Sequence, residues 1–389
     1  MLSQLEGSRA VAGAVVCCRP QVVCAYPITP QTHIVEAIGA SATGARAYTA
    51  TASQGLLFMI EAVYNAAGLG LPVVMTLANR AIGAPINIWN DHSDAMAVRD
   101  SGWVMLFAED NQTATDLHVQ AFRLAEELSL PVMVCVDGYV LTHATERVDV
   151  PTQEQVDAFL PPYKPRQVLD PADPVSIGAM VGPEAFTEVR YLAHAKQLQA
   201  LERIGEVAGE FAEGFGRHSG GLVSTYHVED AEVVIVALGS VLGTIKDATD
   251  ELRANGARVG VVGITSFRPF PLDVLREAIG DARKVVVVER AFSAGFGGVL
   301  STDVGLAISD AKARLSTVVA GLGGRAVTEA GLIGVFEDAL GDRLEALRFL
   351  DLDKDVVDRE LARMAGTRRS GPSAENVLRD LGTVASGAL

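Results

Sequence analysis

From residue 21 to residue 137, short runs of β-branched and aliphatic residues alternate with small turns and amphipathic helical stretches, and the alternation resumes after residue 231. Strands that are apolar on both faces must be covered on both faces, and strands separated by helices pair in parallel. The rhythm therefore predicts an α/β protein with doubly wound parallel sheets. Strands are expected over Gln21–Tyr26, Arg46–Ala50, Pro72–Asn79, Trp103–Ala108 and Pro131–Asp137. Helices are expected from Pro30 to about Ala42, from Gln54 to about Ala67 with Ser53 as the N-cap, and over Thr113–Leu128. The second unit should carry strands over Val233–Leu238, Val259–Ile264, Lys284–Val288 and Ser316–Ala320. Its helices are expected over Leu242–Asn255, Leu272–Ile279, Val299–Ser309 and Val327–Leu340.

Between Asp149 and His227 the rhythm fails. Pro161, Pro162, Pro165, Pro171 and Pro174 crowd a stretch that reads as an arm with one helix, about Phe186–Phe211, and a linker over Gly214–Gly221. The expected organisation is an α/β domain over 1–150, an arm and linker over 151–228 belonging to it, a second α/β domain over 229–342, and a charged helical tail over 343–389. Such a chain needs apolar material for two cores, and hydrophobic residues make up 49% of it. The formal charge of −16 argues against nucleic acid and anionic membrane as partners, because both select basic surfaces. No apolar run reaches the length of a membrane span. Ala10–Cys18 is short and follows Glu6, where an export signal would be basic, so a cytoplasmic location is expected. Cys17, Cys18, Cys24 and Cys135 form no C-x-x-C pair, which leaves no usual cysteine pattern for zinc or an iron–sulfur cluster and favours buried free thiols.

Several common chemistries are also missing. There is no P-loop, and the first strand-to-helix turn, Tyr26-Pro27-Ile28-Thr29-Pro30, contains no glycine and so no dinucleotide fingerprint. Gly295–Gly298 opens a helix and reads as a tight turn or close packing, with approach to an anion as the alternative. Asp91, His92 and Asp94 invite a metal, but a polar loop of this kind is more often solvated or capping the next helix, and no metal site is expected. Three places fall at the carboxyl ends of expected strands, where open α/β sheets bind ligands. The first is the proline-braced turn around Thr29. The second is Thr51-Ala52-Ser53-Gln54-Gly55, a polar turn with free N–H groups. The third is Asn79-Arg80-Ala81, leading to Asn87-Ile88-Trp89. Arg80 directly follows a buried strand, where a guanidinium needs an anion. A ligand carboxylate would satisfy it, and so would a structural pair with Asp91, Asp94 or Asp100.

These motifs together resemble the alpha subunit of the pyruvate (2-oxoacid):ferredoxin oxidoreductase family. The resemblance continues through Ala237-Leu238-Gly239-Ser240, Phe267-Arg268-Pro269-Phe270-Pro271 and Glu289-Arg290, and covers nearly the whole chain up to about Gly341. It implies a thiamin-pyrimidine-type domain followed by a transketolase C-terminal-like domain. It also implies decarboxylation of a 2-oxoacid on thiamin diphosphate, electron transfer through [4Fe–4S] clusters to ferredoxin, and release of an acyl-CoA from CoA. Since neither a Gly-Asp-Gly…Asn signature nor cluster cysteines occur here, the resemblance assigns the diphosphate and Mg²⁺ to a beta subunit and further clusters to a delta subunit, beside a gamma subunit. By the same resemblance Thr29 lies next to the substrate, Arg80 binds its carboxylate, and Pro27, Ile28 and Gln54 are the cofactor-facing positions.

One departure stands out. Relatives in the family place a strand–helix unit, with a glutamate that hydrogen-bonds the pyrimidine N1′, before the Ile-Gly-Ala-Ser-Ala stretch. Here Ile34-Val35-Glu36-Ala37 runs straight into Ile38-Gly39-Ala40-Ser41-Ala42, so a unit on the order of 20–30 residues is missing. Glu36 and Glu61 are the candidates to stand in, although each also fits a helix surface. The missing glutamate motivates a non-catalytic scaffold paralogue as the alternative to a pyruvate-specific enzyme. Since no residue is marked as contacting the acid's side chain, the sequence also admits a subunit acting on 2-oxoisovalerate or another 2-oxoacid.

Overall fold

The computed structural model describes residues 2–25, 33–366 and 373–382. The chain opens with β1 (Leu2–Glu6) and α1 (Gly7–Cys17), neither of which the sequence pattern singles out. The first sheet is built from β2 (Val22–Ala25), β3 (Ala47–Thr51), β4 (Val73–Asn79), β5 (Val104–Phe107) and β6 (Val132–Asp137), all parallel. β7 (Thr145–Asp149) turns back to pair antiparallel with β1. The helices of this half are α2 (His33–Ala42), α3 (Gln54–Phe58), α4 (Ile60–Leu69), α5 (Ser93–Ala97) and α6 (Asn111–Leu128), with α7 (Gln153–Phe159) and α8 (Phe186–Phe215) in the arm.

The second sheet holds β8 (Val223–Tyr226), β9 (Val233–Ala237), β10 (Val259–Ile264), β12 (Lys284–Glu289), β13 (Arg314–Val319) and β14 (Leu347–Phe349), in the order β14-β13-β12-β9-β10-β8. All neighbours are parallel except β8, which adds antiparallel at the edge. Its helices are α9 (Val241–Ala254), α10 (Leu272–Ile279), α11 (Leu300–Ala307) and α12 (Glu329–Leu340). The tail adds α13 (Lys354–Gly366) and α14 (Ser373–Asp380).

β11 (Ser266–Arg268) leaves the second half and joins the first sheet antiparallel to β5, so the first sheet runs β11-β5-β6-β4-β3-β2. Three residues carry too little pattern for sequence reasoning to find such a strand. Its consequence is a shared core. Fully buried Phe267 meets Phe107 edge to face at 5.9 Å, in one apolar cluster with Met75 and Trp103 of the first half and Val236 and Val262 of the second. Burying a side chain such as Phe267 is worth about 1.5–3 kcal/mol, so this contact ties the halves firmly. The opposite face of the first sheet is sealed by α1, α6 and α8 through Val15, Phe122 and Phe211.

Three expectations need correction. Ser53 is no side-chain cap: its backbone sits at φ 51°, ψ −127° and its hydroxyl bonds elsewhere. The single helix expected after it is broken at Met59 into α3 and α4. The segment after Asp149 also holds a helix, α7, fixed by a capping box between Thr152 and Gln155.

Candidate active site

The first sheet delivers its polar turns to one edge. β3, β4 and β6 are in parallel register, with Ala50 beside Thr76 and Asn79 beside Asp137, so the residues after each strand meet at the carboxyl ends. There the turn after β3 and the loop after β4 are stitched together. The Ser53 hydroxyl donates to the Ala81 carbonyl, and Gln54 Nε2 donates to the Gly83 carbonyl at 3.1 Å. A non-glycine residue at positive φ is strained, and such strain persists where the surroundings hold it. At Ser53 the holder is Asp94.

Asp94 is fully buried and gathers four donors. Its Oδ2 accepts the backbone N–H of Ser53 at 3.0 Å and of Arg80 at 2.9 Å. Its Oδ1 accepts Asn79 Nδ2 at 2.9 Å and the N–H of Ala95 at 2.7 Å. Burial pushes its carboxyl up to about 6, against the pull of the N–H groups of Arg80, Asn79, Ser53 and Ala95. Since the folded pKa lies above the usual carboxylate value, the folded chain takes this proton more readily than the unfolded one between pH 6 and 4. Acidification through that window therefore does not unfold the protein on Asp94's account. It does put a proton among N–H donors and loosens the Arg80 backbone. The expected result is a KM for the substrate that rises below about pH 6 while the near-UV signal of folded protein persists. In Asp94→Asn the amide NH₂ must face two N–H groups, so KM should rise about tenfold or more at neutral pH and the acidic limb near 6 should vanish. Steady-state kinetics against pH check both.

Arg80 is half-buried at the end of β4. Its Nε is buried and has no partner among the described residues. None of the three aspartates considered as structural partners takes its guanidinium. Asp94 takes its backbone, Asp91 accepts the N–H groups of Ser93 and Gly323, and Asp100 lies beside Arg99. Gly138, after β6, makes room for it: a Cβ there would stand 3.0 Å from Arg80 Cγ and 2.6 Å from the Asn79 carbonyl oxygen. A buried guanidinium donor without an acceptor is a place for an anion.

Asp91, His92 and Asp94 are buried, which corrects the expectation of a solvated loop; the N-cap of α5 is His92, which makes no side-chain cap bond, and Asp91 accepts the Ser93 N–H. Asp91 and His92 reach the second half, through the Gly323 N–H and the Arg290 carbonyl. His92 Nε2 donates to Asp137 Oδ1 at 2.6 Å, and Asp137 Oδ2 accepts the Ser240 N–H at 2.9 Å and Arg290 Nη1 at 3.1 Å. Burial alone would raise the Asp137 carboxyl, but His92, Arg290 and Ser240 hold it well below the usual range. Among the described residues no group of three or more His, Cys, Asp or Glu side chains could hold a metal ion. The four cysteines are free thiols, Cys17 half-buried and the others buried. The glycine cluster before α11 offers no anion site, because the Glu289 carboxylate already accepts the N–H groups of Val299, Leu300 and Ser301.

Of the site residues expected from the sequence, Arg80 and Gln54 fall at the same edge, joined through Ser53 and Gly83. Thr29, Pro27 and Ile28 lie outside the described residues, as does the side chain of Glu36. Glu61 lies on α4 and lines an apolar groove with Phe58, Met59 and Phe186. Asp94 and Asp137 were missed as site residues. Their only sequence signal was position: one in an acidic loop, one at a strand end.

Residues 34–209 match the family described as pyruvate flavodoxin/ferredoxin oxidoreductase, thiamine diphosphate-binding, and residues 231–331 match core domain II of pyruvate:ferredoxin oxidoreductase. The pyruvate synthase subunit PorA of Methanosarcina barkeri is 43% identical over 391 residues, covering 91% of this chain and 97% of that protein. That of Methanothermobacter thermautotrophicus is 40% identical, covering 85% and 93%. The ketoisovalerate oxidoreductase subunit VorA of Pyrococcus horikoshii is 38% identical, covering 86% and 92%. The 2-oxoglutarate:ferredoxin oxidoreductase of Magnetococcus marinus shares the fold, with a TM-score of 0.64 at 19% identity over 87% of this chain; the match spans 65% of that longer chain. The Methanosarcina alignment runs over 391 residues yet takes in only 91% of the 389 here, so more than thirty positions of that relative have no counterpart in this chain. That shortfall has the size of one strand–helix unit. α2 runs unbroken through the junction at residues 36–38, and β2 is left as the sheet edge with Val23 55% exposed. By sequence match over nearly its whole length, the chain belongs to the pyruvate (2-oxoacid):ferredoxin oxidoreductase family and carries that family's thiamin-diphosphate-binding α/β domain.

Proposed function

We propose that this chain is the alpha subunit of a thiamin-diphosphate-dependent pyruvate:ferredoxin oxidoreductase. The overall reaction converts pyruvate, CoA and two oxidised ferredoxins to acetyl-CoA, CO₂, two reduced ferredoxins and a proton. The observation that carries the reading is Arg80: a buried guanidinium donor at a strand end, left without an acceptor among the described residues and aimed by Asp94. A 2-oxoacid brings the carboxylate it lacks, in a charge-assisted bond.

Thiamin diphosphate, when bound, supplies the nucleophilic carbon and the electron sink. This chain's part is positioning. Arg80 grips the carboxylate, and Thr29 donates its hydroxyl to the keto oxygen as charge develops there. Pro27, Ile28 and Gln54 face the cofactor. The sequence holds no Gly-Asp-Gly…Asn signature for its metal–diphosphate end, and a beta subunit supplies the diphosphate and Mg²⁺ site. Gamma and delta subunits complete the complex, with [4Fe–4S] clusters on partner chains passing electrons to ferredoxin.

The relatives named for ketoisovalerate motivate 2-oxoisovalerate as the second substrate to test, and the shortfall of more than thirty positions motivates a non-catalytic scaffold. The purified complex is assayed for CoA-dependent reduction of a viologen dye. Pyruvate is expected to give the highest kcat/KM. A higher value with 2-oxoisovalerate reassigns the substrate, and no turnover in a complex that retains thiamin and clusters makes the chain a scaffold.

A further inference from the structure

In the reading above the second domain touches no reactant. The structure nevertheless brings two of its loops onto one segment of the first domain, the loop that leaves Arg80, and a third onto Asp137, which holds that segment through His92. From β13, the turn Gly321–Gly324 meets that loop at three points. The Gly323 N–H donates to Asp91 Oδ2 at 3.0 Å, the Gly323 carbonyl accepts Asn87 Nδ2 at 3.1 Å, and Trp89 lies against Gly324. From β12, the Arg290 carbonyl accepts the His92 N–H at 3.0 Å. From β9, Ser240 reaches Asp137, which also holds His92. The turn can do this because Gly323 and Gly324 sit at φ +58° and +82°, and because a Cβ on Gly324 would collide with Trp89. Asn87 closes the arrangement on itself: its Oδ1 accepts the Trp89 N–H at 2.8 Å while its amide reaches across to the other domain.

The loop is thus fixed at both ends. Asp94 holds the Arg80 backbone on the inner side, and the second domain holds residues 87–92 on the outer side. A guanidinium gains its bidentate geometry only if its backbone is still, and a displacement of about an ångström is enough to weaken a positioned contact strongly. We propose that the second domain works as a clamp that sets the aim of Arg80, with Asn87 and the Gly323-Gly324 turn as positioning residues for the 2-oxoacid carboxylate. The proposal rests on the reading of Arg80 as the carboxylate ligand.

The test uses the assembled complex. Asn87→Asp keeps the acceptor for Trp89 and turns the bond to the second domain into a repulsion, because a carboxylate oxygen then faces the Gly323 carbonyl. Gly324→Ala pushes Trp89 from the other side and guards against a peculiarity of the first variant. Each should raise the KM for the 2-oxoacid about tenfold with kcat within about twofold and the KM for CoA unchanged. Placed in an Arg80→Ala background, Asn87→Asp should have no further effect, because the clamp then has nothing to aim. An unchanged KM in both single variants, or an equal effect of Asn87→Asp with and without Arg80, overturns the clamp. If Arg80→Ala itself leaves KM unchanged, the fault lies in the underlying reading of Arg80 instead.

Discussion

Arg80→Ala raises the KM for the 2-oxoacid by a factor of about 30 or more and leaves thiamin content unchanged. The estimate follows from the position of the side chain. Losing one partner of a buried, charge-assisted pair costs about 2–5 kcal/mol, and about 1.4 kcal/mol is a factor of ten. The guanidinium has no acceptor among the described residues, so the substrate carboxylate is the group left unpaired when it goes. Arg80→Lys should recover only part of the loss, because an ammonium is a point charge and cannot present the planar fork. Steady-state kinetics with cofactor analysis decide the matter: a KM within twofold of the parent in Arg80→Ala makes the arginine structural.

Asp137→Ala destabilises the chain by about 3–5 kcal/mol, the usual cost of removing one partner from a buried ion pair. Asp137 is buried and is the acceptor for His92, Ser240 and Arg290 at once. Arg290 Nε and His92 Nδ1 already lack partners, so two polar side chains would be stranded between the domains. The unfolding temperature should fall on the order of 10 °C. Asp137 also sets an acid limit. Its folded carboxyl titrates below the unfolded value of 3.8, so its stabilisation is present above pH 4 and is lost only as pH falls further. Thermal unfolding of Asp137→Ala at pH 7, with a shift under about 2 °C, would show that solvent takes over the latch.

The central parallel strands were legible because they are buried aliphatic runs bounded by turn residues; α10 begins and ends where its pattern does. β1, β11 and β14 were not, since strands of three to five residues at edges or crossings lack a period to read. Ser53 misled for a definite reason: a serine before a helix predicts a cap, but here Asp94 captures its N–H and Ala81 its hydroxyl. At the site, Arg80 could be marked as needing an anion, because a guanidinium after a buried strand is costly anywhere. Whether that anion was internal could not be read, since the choice depends on which way Asp91, Asp94 and Asp100 turn. The latch at Asp137 joins residues more than a hundred positions apart in sequence. No local pattern reports a contact of that kind.

The central claim is that this chain supplies the substrate-gripping half of a pocket whose cofactor anchor belongs to a partner subunit. Calorimetric titration of thiamin diphosphate with Mg²⁺, first into the isolated chain and then into the assembled complex, tests it most directly. Saturable binding in the complex and none in the isolated chain is the predicted outcome. Binding of equal affinity and stoichiometry to the isolated chain would contradict it.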